Sequence, residues 1–189
     1  MADADVTGGR VLAVVSNHGV EQDELVVPVN HLRERGALVD VCAITGDPVR
    51  TLVGDQDPGQ VVEPSNELAS VDPGAYDLLL VPGGTLNADA LRQQARAVEI
   101  ARSFARTGRI IASICHGPWL LVEAGVLDGK NATSYGSLAT DIRNAGGQWG
   151  DDAVVRDDAA GWTLITSRGP DDLPDFLREV EAALGAATA

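Results

Sequence analysis

Ile110-Ile-Ala-Ser-Ile-Cys-His-Gly-Pro-Trp-Leu-Leu121 begins as a β-branched apolar run, turns at a cysteine, a histidine and a glycine, and continues as an apolar helical pattern. Residues 110–114 are nearly continuous in apolar side chains, the habit of a strand covered on both faces by helices. Pro118 suits a first helical position, where its missing N–H would have no intrahelical acceptor. Cys115 lies between strand and helix, with Ser113 and Gly117 two residues to either side. A nucleophile on a sharp strand-to-helix turn needs small residues there, because the strained backbone approaches itself closely. The helix beyond points its partial positive end at the thiol and favours the thiolate. The plainer reading of a free cysteine is a small apolar residue ending a core strand. Cys42, inside Val39-Asp-Val-Cys-Ala-Ile44, fits that reading, and Cys115 fits the turn.

The alternation extends outward in both directions. Residues 10–17 read as a buried strand, and residues 21–35 as a helix with Leu25, Val29 and Leu32 on one face and Gly36 at its end. Strands follow at 38–44 and 76–82, the second running into Gly83-Gly84. Between them, residues 45–73 are rich in Gly, Pro and Asp and read as loops with room for a short hairpin. One or two helices occupy 86–107 and stop at Gly108; further helices are expected at 118–124, 138–145 and 173–184, with strands at 131–134 and 162–166. Strands alternating with helices imply right-handed crossovers and a parallel sheet with helices on both faces. Ligands in such sheets sit at the carboxyl ends of strands, so the loops after Val15, Pro82 and Ile114 should meet.

Composition narrows the function. A chain of 189 residues with 44% hydrophobic side chains is long enough for one domain, residues 1–189, in which residues 1–9 read as a flexible leader. The formal charge of −14 argues against nucleic acid and anionic membranes, whose phosphates need clustered Lys and Arg. The first residues lack a basic start and an apolar core, no run approaches the ~18 residues of a membrane span, and two cysteines make no disulfide framework. A cytoplasmic protein is the expectation.

Three histidines are present, His18, His31 and His116, and none lies after residue 116. A glutamine amidotransferase triad, which uses a distant C-terminal histidine, is thereby excluded. His31 sits mid-helix and reads as a surface or packing residue; His18 falls in the loop after the first strand, at the rim of the expected site. His116 offers its backbone N–H as an oxyanion donor beside the thiol, with Gly84 as a second donor. Glu21 enters the same crevice at a helix start, either as an ordinary first-turn acid or as a proton-carrying neighbour of the thiol. Two cysteines and three scattered histidines give no zinc spacing, and Gly83-Gly84 lacks the pattern of a phosphate loop, so no metal and no cofactor are expected.

Four stretches in order resemble the PfpI-type members of the ThiJ/PfpI superfamily: His18-Gly-Val-Glu-Gln-Asp-Glu-Leu25, Val81-Pro-Gly-Gly-Thr-Leu-Asn-Ala-Asp-Ala-Leu-Arg92, Ile114-Cys-His-Gly-Pro-Trp-Leu-Leu121 and Thr166-Ser-Arg-Gly-Pro-Asp-Asp-Leu-Pro-Asp-Phe176. The resemblance implies a flavodoxin-like three-layer α/β sandwich and a homodimer or larger homo-oligomer. It implies Cys115 as nucleophile, His116 as its neighbour and Glu21 as the acid bonded to the cysteine. Asp89 falls near a further family acid that is a glutamate contributed across a subunit interface. Gly169 stands where the family pattern has lysine and Val20 where it has an aromatic. The activities implied are cofactor-independent conversion of methylglyoxal or glyoxal, removal of glycation adducts, and peptide or amide hydrolysis; a redox sensor with an oxidisable cysteine is the alternative from another class. Thiolate attack on an aldehyde needs no leaving-group protonation and no peptide groove, so a small aldehyde or glycated substrate leads.

Overall fold

The structure is a computed structural model and describes residues 4–188. In chain order its elements are β1 (Arg10–Val15), β2 (His18–Glu21), α1 (Gln22–Glu34), β3 (Leu38–Ala43), β4 (Val49–Val53), β5 (Asp57–Val62), β6 (Asn66–Glu67), β7 (Leu78–Val81), α2 (Thr85–Arg92), α3 (Ala95–Arg106), β8 (Ile110–Ile114), α4 (Pro118–Ala124), β9 (Asn131–Ala132), α5 (Ala139–Asn144), β10 (Gln148–Trp149), β11 (Val154–Asp157), β12 (Leu164–Ser167) and α6 (Leu173–Thr188).

Seven strands form the central sheet in the order β11-β12-β8-β7-β1-β3-β6. All neighbours are parallel except β11, which pairs antiparallel with β12 at the edge. Side chains of a strand alternate between faces, so apolar strands supply two cores at once. Val11, Ala13 and Val15 of β1 join Leu25, Val29 and Leu32 of α1 and Phe176, Val180 and Leu184 of α6 on one side. Leu12 and Val14 join Leu91 of α2, Ile100 and Phe104 of α3, Leu120 and Leu121 of α4 and Ile142 of α5 on the other. The result is the three-layer, flavodoxin-like sandwich, with β1 flanked by β3 on one side and β7 on the other. Connections leave that point in opposite directions, which opens a crevice at the carboxyl ends of the strands.

Three features depart from the sequence pattern. The segment 45–73 does contain a hairpin, β4 and β5, and the hairpin also recruits β2 in parallel to make a second sheet of three strands. Strand β11 carries Val154-Val-Arg-Asp157, half-buried and partly charged, and exists because it has an edge to pair with rather than because of its own pattern. The leader behaves differently over its described part: Val6 is fully buried in the α1/α6 core and Gly8 donates its N–H to Gly36 O at 3.0 Å. Residues 1–3 lie outside the described residues.

Burial of Val6 anchors the segment 4–9 to the core, although Asp5, Thr7 and Gly8 are exposed. Val6→Ala should lower unfolding stability by about 2 kcal/mol, the transfer of two methyl groups plus residual cavity. Urea titration checks this, and a loss within error of zero would mean that the segment is docked without energetic consequence.

Candidate active site

Strand β8 ends at Ile114, and Cys115 turns the chain with φ of 60°, a left-handed conformation that costs a non-glycine residue roughly 1–3 kcal/mol. Hydrogen bonds hold the turn on both sides: Cys115 N–H donates to Ser167 O at 2.9 Å, and Tyr135 N–H donates to Cys115 O at 3.0 Å. Space is as tight as the torsion. A Cβ on Gly117 would stand 2.6 Å from Ser113 Oγ and overlap Val81 O. One on Gly83 would stand 2.8 Å from both Cys115 Cβ and His116 N. Gly84, at φ 84°, backs onto Gly19 O. These contacts bring together the loops after β1, β7 and β8, as the strand order requires.

Cys115 is 7% exposed as a whole residue and lines a cleft of about 740 Å³. Its carboxyl neighbour is Glu24. The expectation of Glu21 in that place is corrected by the helix start: residues 18–21 are extended as β2, which turns Glu21 toward the β4–β5 turn, where its Oε2 accepts the Asp55 N–H at 3.3 Å. Glu24 lies inside α1 on the buried stripe that continues through Pro28 and Leu32, and it is completely buried. Its Oε2 accepts the Gly83 N–H at 2.9 Å, and its side chain hydrogen-bonds Cys115. Oε1 has no hydrogen-bond partner among the described residues. Burial pushes the Glu24 carboxyl up to about 8, against the lowering effect of those hydrogen bonds.

Burial also pushes the Cys115 thiol up, and an ionised Glu24 would push it further; the backbone N–H groups of Gly84 and His116 donate to the sulfur and pull it down. Two anions do not coexist in that contact, so the pair holds at least one proton. Below pH 8 Glu24 keeps its own proton and places no negative charge beside the sulfur.

His116 faces the thiol through Nδ1, 3.2 Å from Cys115 Sγ. Its ring stacks on Tyr135 with centroids 4.6 Å apart and meets the Trp119 ring edge-on at 5.4 Å. Nε2 lies 3.4 Å from both Thr85 Oγ1 and Ser137 Oγ. Burial lowers the imidazole pKa, against the charge of Asp55.

Other expected residues lie elsewhere. His18 is exposed at the start of β2 and does not line the cleft. Asp89 pairs with Arg92 at 2.9 Å on the half-exposed side of α2 and is not in the cleft wall. His31 bonds Glu181 at 2.9 Å and ties α1 to α6. Glu24 was open to discovery in the sequence, since an acid four residues before Pro28 and eight before Leu32 shares their face. Asp55, Thr85 and Tyr135, all lining the cleft, carried no such signal.

The sequence pattern described as the DJ-1/PfpI family matches residues 9–183. The chain belongs to the DJ-1/PfpI family. It is similar to general stress protein 18 of Bacillus subtilis, 36% identical over 93% of this chain and 98% of that one. It is also similar to protein/nucleic acid deglycase 2 of Escherichia coli, 35% identical over 94% and 99%. Among solved structures, Drosophila melanogaster DJ-1beta superposes with a TM-score of 0.83 at 30% identity, over 95% of this chain and 92% of that one. Among the described residues of this DJ-1/PfpI chain no helix is long and apolar enough to cross a membrane.

The two thiols should differ in reactivity. Burial pushes both thiols up, Cys42 to about 12, so access and a proton acceptor decide: Cys42 is fully buried within β3, whereas Cys115 lines the cleft with His116 Nδ1 3.2 Å from its sulfur. Peptide mapping after brief iodoacetamide treatment at pH 8 should find the label on Cys115; comparable labelling of Cys42 in the folded protein would contradict this.

The raised Glu24 pKa has a defined effect on stability. The folded carboxyl keeps its proton up to about pH 8, whereas the unfolded one ionises near 4.5. The unfolded state therefore binds fewer protons in that window, and stability falls as pH rises from 4.5 to 8. Glu24→Gln removes this loss, so its melting temperature should gain on that of the unsubstituted chain across the window and level off above it. A difference that stays constant from pH 4.5 to 9 would show that the carboxyl is ionised throughout.

Proposed function

We propose that the chain is a cofactor-independent, cysteine-dependent enzyme that acts on small reactive aldehydes, with methylglyoxal and glyoxal as its simplest substrates. One observation carries the reading: a thiol at the floor of a cleft, beside a buried carboxyl whose pKa burial raises, an imidazole nitrogen and two convergent N–H groups. His116 Nδ1 takes the Cys115 proton, and the sulfur adds to the aldehyde carbon. The carbonyl electron pair moves onto oxygen, where the Gly84 and His116 N–H groups receive it, and protonation completes a hemithioacetal. For methylglyoxal, removal of the proton on the sulfur-bearing carbon and return of a proton to the neighbouring carbon convert it to a lactoyl thioester. Water then releases lactate and restores the thiol. The sum is methylglyoxal plus water to lactic acid, with no net electron transfer. The deglycase name of the Escherichia coli relative supports chemistry on aldehyde-derived adducts.

Charge at the cleft adds a selection. Glu21, Asp23, Asp55, Asp151, Asp171 and Asp172 line it, and its one lining guanidinium, Arg168, is held by Asp151 at 3.0 Å and Asp172 at 2.8 Å. A neutral aldehyde meets no repulsion there, whereas a carboxylate-bearing one does.

The purified protein should therefore form lactate from methylglyoxal without glutathione, nicotinamide or metal, and should prefer glyoxal to glyoxylate. Cys115→Ser should abolish turnover, and Glu24→Gln should reduce kcat roughly 100- to 10,000-fold. No lactate above buffer, together with Cys115 sulfinic acid accumulating under mild peroxide, would replace this reading with redox sensing.

A further inference from the structure

We infer that Asp55 and Thr85 form a positioning relay that fixes the tautomer of His116, so that one chain by itself aims an unprotonated Nδ1 at the Cys115 thiol. The inference rests on Cys115 as nucleophile and not on which substrate it attacks.

Thr85 is bonded twice to Asp55: its N–H donates to Oδ1 at 2.9 Å and its hydroxyl donates to Oδ2 at 2.5 Å. A threonine hydroxyl has a single proton, and here an ionised carboxylate accepts it. What Thr85 Oγ1 has left for His116 Nε2, 3.4 Å away, is a lone pair. Nε2 must then carry the ring proton, and Nδ1, 3.2 Å from sulfur, is the acceptor. Ser137 Oγ at 3.4 Å carries no such commitment to a carboxylate, so its proton turns either way and sets nothing.

Asp55 is itself placed under strain. It has φ of 58° in the turn between β4 and β5, and its N–H is held by Glu21 Oε2 at 3.3 Å. Left-handed torsion in a non-glycine residue persists where surrounding contacts dictate it, and here they aim the carboxylate at the start of α2. When Nδ1 accepts the thiol proton, the Asp55 charge steadies the imidazolium through the hydroxyl, as a carboxylate does directly in a catalytic triad. This also gives Glu21 a place in the site: it secures the turn that carries Asp55. Asp89, turned away with Arg92, is not needed for it.

The test separates this relay from the aldehyde reading by using no aldehyde. Imidazole nitrogens of uniformly ¹⁵N-labelled protein are recorded at pH 8, His116 being assigned by the resonances lost in His116→Gln, and Cys115 alkylation by iodoacetamide is timed in parallel. The unsubstituted chain should show Nε2 protonated and Nδ1 bare. Thr85→Val should mix the tautomers and slow alkylation about 10- to 100-fold, the worth of a charge-assisted hydrogen bond. Thr85→Ser should restore both to within about threefold. Asp55→Asn, which keeps a residue at ease in left-handed torsion, should slow alkylation comparably. An Nδ1-protonated ring in the unsubstituted chain, an unchanged tautomer in Thr85→Val, or a Thr85→Ser protein as slow as Thr85→Val would overturn the relay.

Discussion

No side chain has room to stand at residues 83, 84 and 117, and the left-handed turn at Cys115 depends on those three vacancies. Strand register creates the crowding. β7 and β8 run parallel with Val81 opposite Ser113, which brings Gly83 to rest on Cys115 just past the strand ends. Because the glycines bring bare backbone into these contacts, two N–H groups converge on the sulfur from different strands. A methyl group at any of the three would push the loops apart and separate the donors before it disturbed the sheet.

The burial of Glu24 follows from the same packing. Helix α1 lies against the sheet along Leu25, Pro28, Val29 and Leu32, and one turn earlier that contact face reaches the crevice instead of the core. A carboxyl there loses its water but finds the Gly83 N–H and the Cys115 thiol. Ionising it would place a charge with one firm donor in a dry site, so it holds its proton near neutrality. An acid that keeps a proton next to a nucleophile can return it to a developing oxyanion or carbon, which an exposed glutamate, ionised at pH 7, cannot.

The legible part of the fold was what periodicity encodes. Residues 110–124 read correctly through the turn, because a buried strand, a small-residue pair and Pro118 each point to the same geometry. That Cys115, His116 and Gly84 meet at one cleft followed from their position in sequence relative to strand ends. Glu21 and Glu24 illustrate where that method stops. Both follow β1 closely, and choosing between them requires knowing that residues 18–21 pair with β4 and delay the helix to Gln22. That pairing is non-local and leaves little mark on four residues. Asp55 lies further beyond reach, since its turn belongs to the small sheet and meets Thr85 only after both sheets have formed. Val6 was misread for the converse reason: a single apolar residue among polar neighbours has no period, and its burial comes entirely from the gap that α1 and α6 leave.

The buried pair Lys130–Asp157 and the buried Glu24 mark the difference between scaffold and site. Lys130 Nζ, 1% exposed, lies 4.0 Å from the Trp162 ring centroid and donates to Trp162 O at 2.8 Å and to Asp157 Oδ1 at 3.4 Å. Asp157 in turn accepts from Asn131 N–H and Ala159 N–H, each at 2.8 Å; these bonds and the Lys130 charge outweigh burial and hold its carboxyl at about 2. That cluster fastens β9 to β11 and so steadies the segment that carries Tyr135 against His116. Its contribution is complete above the ordinary carboxylate value of 3.8 and lost only as pH falls toward 2. Glu24 has the opposite sign, because its pKa is raised, and it withdraws stability as pH climbs from 4.5 to 8. The fold satisfies every polar atom of the group that only supports the wall, and leaves one oxygen of the group beside the thiol without a fixed partner. Saturating Glu24 with donors would make it a better ion and remove the proton that the proposed chemistry at Cys115 calls for.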